Sequence, residues 1–293
     1  MGIVSPLSLS KIFNVQAQII NNTYRITYKS LGEFLNDTEK APFPSDAHSD
    51  NESDYNEIRN ERSCEWRYGS EKLVENYYDE RFNPDKGRRL CQNDLNKMLC
   101  SKEYKDSLKI ALTYKKRLNF KEEGNRISVP RALTGDDKCF ITSKTSRKPT
   151  VKIAINMCVS ACVDDQGLMK IAMSAIPVVF ALEQAGICTE IWLCGLSTGT
   201  HEDIDHTLVE VCIKTAQQRF SWTTFAPVFQ AGTYRHGMFL TWLRAPYSAT
   251  YGYGSPMRDD TMKENDNYGY VSIIGNHAPG PLETVREIFK LTK

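Results

Sequence analysis

Five consecutive residues, Gly195-Leu196-Ser197-Thr198-Gly199, match the G-x-S-x-G pattern of a nucleophilic serine. The pattern does chemistry when the serine sits on a sharp strand-to-helix turn, where a helix N-terminus and nearby amides can stabilise an oxyanion. The following residues, Thr200-His201-Glu202-Asp203-Ile204-Asp205-His206, instead lead within a dozen positions into another strand. A polar hairpin loop therefore accounts for the glycines. A serine hydrolase using Ser197 would draw its acid from Asp259 or Asp260 and its base from His277. His201, Asp203, Asp205 and His206 would form a metal-binding group only if their loop curled around an ion, and solvent exposure explains them equally. The catalytic expectation is therefore none, with neither a metal nor another cofactor.

A second set of residues suits binding. Tyr247, Tyr251, Tyr253, Tyr268 and Tyr270 fall in one glycine-containing stretch with Arg244, Arg258 and Lys263. Tyrosines on such a frame can stack the bases of a single strand or anchor a protein interface. A further basic group lies upstream. Residues 63–148 hold 20 Lys and Arg against 13 Asp and Glu, although the whole chain has a net charge of only +1. Local excess is what a phosphate backbone feels. Lys97, Lys102, Lys105, Lys109, Lys115 and Lys116 line one side of a helix expected from Asp94 to Arg117, and Lys144, Arg147 and Lys148 follow in a loop. A solvated lysine face is the plainer reading of the helix.

The elements that must carry these residues follow from periodicity. Thr23 to Tyr28 alternates as a strand, and Ser30 with Glu33 forms a capping box for a short helix, so residues 1–40 read as a small β-α element. Residues 41–62 are acidic and poor in large apolar side chains, and read as a flexible linker. Residues 63–148 read as a basic, mainly helical region. Residues 149–293 read as an α/β domain. In it, Val151 to Met157 is a buried strand, and Asp164 or Asp165 caps a helix that Pro177 kinks and Gly186 ends. Thr189–Leu196 and Leu208–Ile213 are further strands. A helix between Trp222 and Trp242 is broken or late because of Pro227, Gly232 and Gly237. Tyr270–Ile274 is a last strand and Pro281–Lys290 a last helix. The expected fold is an open, mainly parallel α/β sheet with helices on both faces, preceded by a mostly helical N-terminal region.

The nine cysteines are odd in number, irregularly spaced and without a CxxC pair, which fits buried thiols in a reducing compartment. Cys158 and Cys162 are expected to pack in the core. With neither a basic-apolar leader nor an apolar run of membrane length, the expectation is a cytoplasmic protein with no membrane partner.

The run Val151 to Ser160, the helix ending at Gly186 and the strand Thr189–Leu196 together resemble the von Willebrand factor A-type domain. In that family the first strand ends in an Asp-x-Ser-x-Ser loop that holds a divalent metal. The matching positions here are Asn156, Cys158 and Ser160, and only Ser160 keeps the residue type. A neutral carbonyl and a thiol suit magnesium poorly, so the resemblance implies a degenerate loop without its metal. The later ligands of the family would fall at Thr223 or Thr224 and at Asp259 or Asp260. The segment Ile127 to Pro246, with Trp66-Arg67-Tyr68-Gly69, also resembles a group of uncharacterised bacteriophage proteins built on this plan. Together these imply a non-enzymatic, phage-type binding or adaptor protein in the host cytoplasm, serving as a transcription or replication accessory factor. Single-stranded DNA is the expected partner, with a phage or host protein such as a polymerase beside it. The alternative is a structural or assembly protein that works through protein contacts.

Overall fold

A computed structural model describes residues 15–20, 22–40, 42–43, 51–60, 100–113, 120–121, 126–136, 138–141, 150–156, 158, 175–176, 178–184, 186–201, 204–220, 233–246 and 271–274. In chain order the strands are β1 (Gln16–Ile20), β2 (Thr23–Tyr28), β3 (Phe120–Lys121), β4 (Arg126–Ile127), β5 (Phe140–Ile141), β6 (Thr150–Asn156), β7 (Cys188–His201), β8 (Ile204–Lys214) and β9 (Val271–Ile274). The α-helices are α1 (Leu31–Lys40), α2 (Asn51–Asn60), α3 (Lys102–Thr113), α4 (Val129–Leu133) and α5 (Phe239–Arg244), the last preceded by a π-helical turn, Thr233–Met238. Residues 178–184 form a further helix between β6 and β7.

Six strands make one sheet in the order β1-β2-β8-β7-β6-β9, so the fold is of the α/β class. The sheet is open and mixed, with three of its five pairings parallel. β2/β8, β6/β7 and β6/β9 pair in parallel, whereas β1/β2 and β7/β8 are antiparallel. The two antiparallel pairings come from two tight connections, since only a two-residue link separates β1 from β2 and β7 from β8, and such links force antiparallel neighbours. β2 runs beside β8 from Thr23 opposite His206 to Tyr28 opposite Val211, so β1 and β2 extend the main sheet.

Local signals in the sequence explain several boundaries. The Ser30 hydroxyl accepts the Glu33 amide at 3.1 Å, and the Glu33 carboxylate accepts the Lys29 amide at 2.7 Å, fixing the start of α1. Gly186 has φ +83° and donates its amide to the Glu183 carbonyl, while the Ile187 amide reaches Leu182; this pair of bonds is the Schellman ending, and glycine suits its left-handed residue. After β8 the π-helical turn Thr233–Met238 leads into α5, and residues 221–232 lie outside the described residues.

Two expectations change. Helix α3 starts at Lys102, not Asp94, because the Ser101 hydroxyl caps the Tyr104 amide at 3.1 Å and residues 100–101 turn. Within the expected flexible linker, residues 51–60 form α2. Asn51, Tyr55 and Ile58 repeat at helical spacing and are buried. The Asn51 amide group donates to the Leu243 carbonyl at 3.2 Å and ties α2 to α5.

Alternation divides the sheet into two faces. Tyr24, Ile26 and Tyr28 of β2 point with Val209 and Val211 of β8 and with Leu193 and Gly195 of β7. This is the face against which α1, the π-helical turn and α5 pack. The Phe34 ring of α1 meets Tyr28 edge-on at 5.1 Å. A Cβ on Gly195 would lie 2.5 Å from the Met238 sulfur and 2.7 Å from the Trp242 ring. The first glycine of the G-x-S-x-G motif is thus a close-packing residue.

Candidate binding site at the carboxyl end of the sheet

The strands β8, β7, β6 and β9 stand in the order third, second, first, fourth of their chain order. In a doubly wound sheet the strand order reverses beside the first strand, and the crevice outside the carboxyl ends at that point is where ligands bind. Here that point falls at the carboxyl ends of β6 and β9, at Asn156 and Ile274, and the two strands pair in parallel. β6 arrives there as a buried strand, with every residue from Val151 to Asn156 inside.

The turn leaving β6 is closed by its own side chains. The Asn156 side-chain carbonyl accepts the Cys158 amide at 2.9 Å, an Asx turn. The Cys158 thiol in turn accepts the Leu196 amide at 2.7 Å and donates to the Leu196 carbonyl at 3.4 Å, stitching the turn to β7. Both residues are buried. Asn156 and Cys158 therefore serve the turn and its tie to β7, and Ser160 lies outside the described residues. Among the described residues no group of three or more His, Cys, Asp or Glu is placed to hold a metal.

Ser197 does not sit on a nucleophile elbow. It lies within β7 opposite Thr207 and is fully buried, with the hairpin turn coming only after His201. Of the loop residues weighed as metal ligands, His201 and His206 belong to β7 and β8, Asp205 is exposed and gives its amide to the Asn22 carbonyl, and Asp203 is outside the described residues.

Arg244, expected in a binding loop, is interior. It ends α5 and its guanidinium grips Asp37 of α1 with both terminal nitrogens, one at 3.2 Å, while Nε donates to the Leu240 carbonyl at 3.2 Å. The Tyr28 hydroxyl donates to the same carboxylate at 2.6 Å. Burial would lower the Arg244 pKa, but the Asp37 charge and hydrogen bond together with the nearby Tyr28 and Tyr55 hydroxyls outweigh it and hold the guanidinium above its ordinary value. An α-helix carried the arginine back onto the sheet, which composition alone did not reveal.

Three of the lysines singled out along the expected helix are described, all in α3. Lys102, Lys105 and Lys109 are exposed at spacings of three and four, on one side of the helix. Lys97, Lys115, Lys116, Lys144, Arg147, Lys148, Tyr247, Tyr251, Tyr253, Arg258 and Tyr268 lie outside the described residues, as does Cys162.

One group of charged residues was missed. On the face opposite α1 and α5, Glu210 of β8 accepts Arg25 of β2 through two nitrogens, one at 2.7 Å, and Lys152 of β6 at 3.3 Å. All three are buried. Lys152 also sits 4.5 Å from the centre of the Trp192 ring. Burial alone would raise the Glu210 pKa; the Arg25 hydrogen bonds and the Lys152 and Arg25 charges reverse this and hold it below the ordinary carboxylate value. The sequence signal was present, since each residue is a lone charge inside a strand-forming run.

The match to a family model spans the same elements. A model described as "Domain of unknown function (DUF7192)" matches residues 11–292, from before β1 to beyond β9. The chain belongs to the DUF7192 family. No curated protein and no solved structure matches it. The family match treats the N-terminal strands and the β6–β9 half as one unit, in agreement with their shared sheet.

Proposed function

We propose that this DUF7192 chain is a non-enzymatic binding module of the von Willebrand A-like plan, which takes its ligand at the carboxyl edge of β6 and β9 and contacts single-stranded DNA with its basic segment. The order β8-β7-β6-β9 supports the plan, because sheets of this kind take ligands at the point of strand reversal. The closed turn at Asn156 and Cys158 supports binding over catalysis, because its polar groups serve the turn. The observation that carries the nucleic-acid part is the exposed row Lys102, Lys105 and Lys109 within a stretch of positive excess. Such a protein would suit accessory work in phage transcription or replication.

Fluorescence anisotropy with labelled single-stranded oligonucleotides tests the reading. Binding should weaken as salt rises, and the triple variant Lys102→Glu, Lys105→Glu, Lys109→Glu should flatten the log–log salt slope by about 2, at roughly 0.7 per lost phosphate contact. No binding at low salt, where the electrostatic attraction is strongest, would rule it out.

A further inference from the structure

Strand β1 forms one border of the sheet, and among the described residues its strand partner is β2 alone. A border strand offers a row of backbone donors and acceptors to any strand that comes alongside. Proteins ordinarily block this with lysines, prolines, inward charges or bulges. β1 has none of these. Its five residues are Gln16-Ala17-Gln18-Ile19-Ile20, without charge or proline, and its pairing with β2 runs in unbroken register. Arg25 of β2 and Glu210 of β8 are buried, and the exposed charge of β8, Asp205, lies beside the β7–β8 turn.

Side-chain alternation along β1 adds a second feature. Ala17 and Ile19 oppose Ile26 and Tyr24, so they share the apolar face covered by α1 and α5. Ala17 packs against the core, but Ile19 remains 45% exposed at its outer margin. The core face therefore reaches the border and stops there with an uncovered isoleucine.

We propose that β1 is a self-pairing edge, at which two copies of the chain join antiparallel about a two-fold axis through Gln18. In that register Ala17 of one copy opposes Ile19 of the other, and Gln16 opposes Ile20. Each Ile19 is then covered by the small Ala17 on the face that is already apolar, and Gln18 faces its own counterpart. Because the strand carries no charge, no like charges meet across the axis, a requirement that a two-fold pairing imposes on every residue near it. A charged foreign strand would find no complement on β1, which favours the second copy as occupant. The joint closes on itself and uses both borders of β1 without leaving a new one.

Five residues per copy make a small interface, so the Kd should be on the order of 10 μM. Sedimentation equilibrium of the full chain from about 1 to 100 μM should show a monomer–dimer equilibrium. Ile19→Lys should weaken it at least about tenfold while leaving the circular dichroism unchanged, since the side chain is already half exposed. Independently, Gln18→Cys should cross-link the two copies on oxidation above the background of the unsubstituted chain, because directly opposed Cβ atoms lie about 5 Å apart. Gln16→Cys should not, because its two copies would stand several residues apart. A chain that stays monomeric over this range overturns the proposal. So does a dimer that Ile19→Lys leaves intact and Gln18→Cys does not cross-link, since it would use another surface. Capture of a foreign strand by a chain that never dimerises would also overturn it.

Discussion

The two faces of the sheet are each pinned by a buried acid, but the acids have different company. On one face Glu210 stands between two cations, Arg25 and Lys152, that come from strands on either side of the β7/β8 hairpin. On the other, Asp37 stands between one cation, Arg244, and one neutral phenol, Tyr28. Arg25 and Tyr28 belong to the same strand, three residues apart and pointing to opposite faces. The N-terminal strands are thus bolted through the sheet, to β8 and β6 behind it and to α5 in front. The first bolt is wholly within the sheet, whereas the second joins a helix to a helix. Losing the first should therefore cost more.

The largest effect is expected for Glu210→Ala, which would leave two cations buried beside one another without their acid. Urea unfolding should show a loss of about 3–5 kcal/mol. Replacing Arg25, Glu210 and Lys152 together by Met, Leu and Met should recover most of that loss, because an apolar trio avoids the desolvation of charge. Asp37→Asn should cost less, about 2–3 kcal/mol, because Arg244 keeps the Leu240 carbonyl as an acceptor. An equal or larger loss at Asp37 would reverse the ranking of the two faces.

Smaller still, Tyr28→Phe removes one hydrogen bond to a charged acceptor and should cost about 1.5 kcal/mol, the low end for such a bond, with the ring contact to Phe34 retained. The pH dependence separates the faces further. The Glu210 pKa is depressed below its ordinary 4.5, so its contribution is present above pH 4.5 and is lost as pH falls through the folded value. Burial first, and then the Asp37 charge, raise the Tyr28 pKa above its ordinary 10.0, so its contribution is complete below pH 10.0 and is lost as pH rises through the folded value. Unfolding midpoints measured against pH should show Glu210→Gln flattening the acid limb and Tyr28→Phe flattening the alkaline limb. Either substitution acting on the wrong limb would break the comparison.

The parts of this fold that depend on neighbours in sequence were legible. The capping box at Ser30 and Glu33, the glycine ending at Gly186 and the apolar run of β6 each predicted the element that forms. The parts that depend on distant partners were not. Nothing local tells β2 to lie beside β8, or Arg244 to find an acid 207 positions away. α2 was hidden because its buried stripe contains only two large apolar residues, Tyr55 and Ile58, and is completed by the polar Asn51. At the candidate site the Asx turn of Asn156 is a local feature, but the Cys158 thiol's bonds to Leu196, 38 positions away, needed the fold. The lone charges Arg25, Lys152 and Glu210 were readable as anomalies in apolar strands, and opposite signs on separate strands suggest a buried pair. Their common meeting point came only from the strand order.

Hydrogen exchange followed by mass spectrometry in rising urea is the most direct test that the N-terminal strands and the β6–β9 half are one folded body. Peptides covering β2 and β8 should open with the same free energy and the same urea dependence, and Glu210→Ala should lower both by an equal amount. If β2 opened at a much lower free energy while β8 stayed protected, the N-terminal strands would be an appendage and the sheet would end at β8.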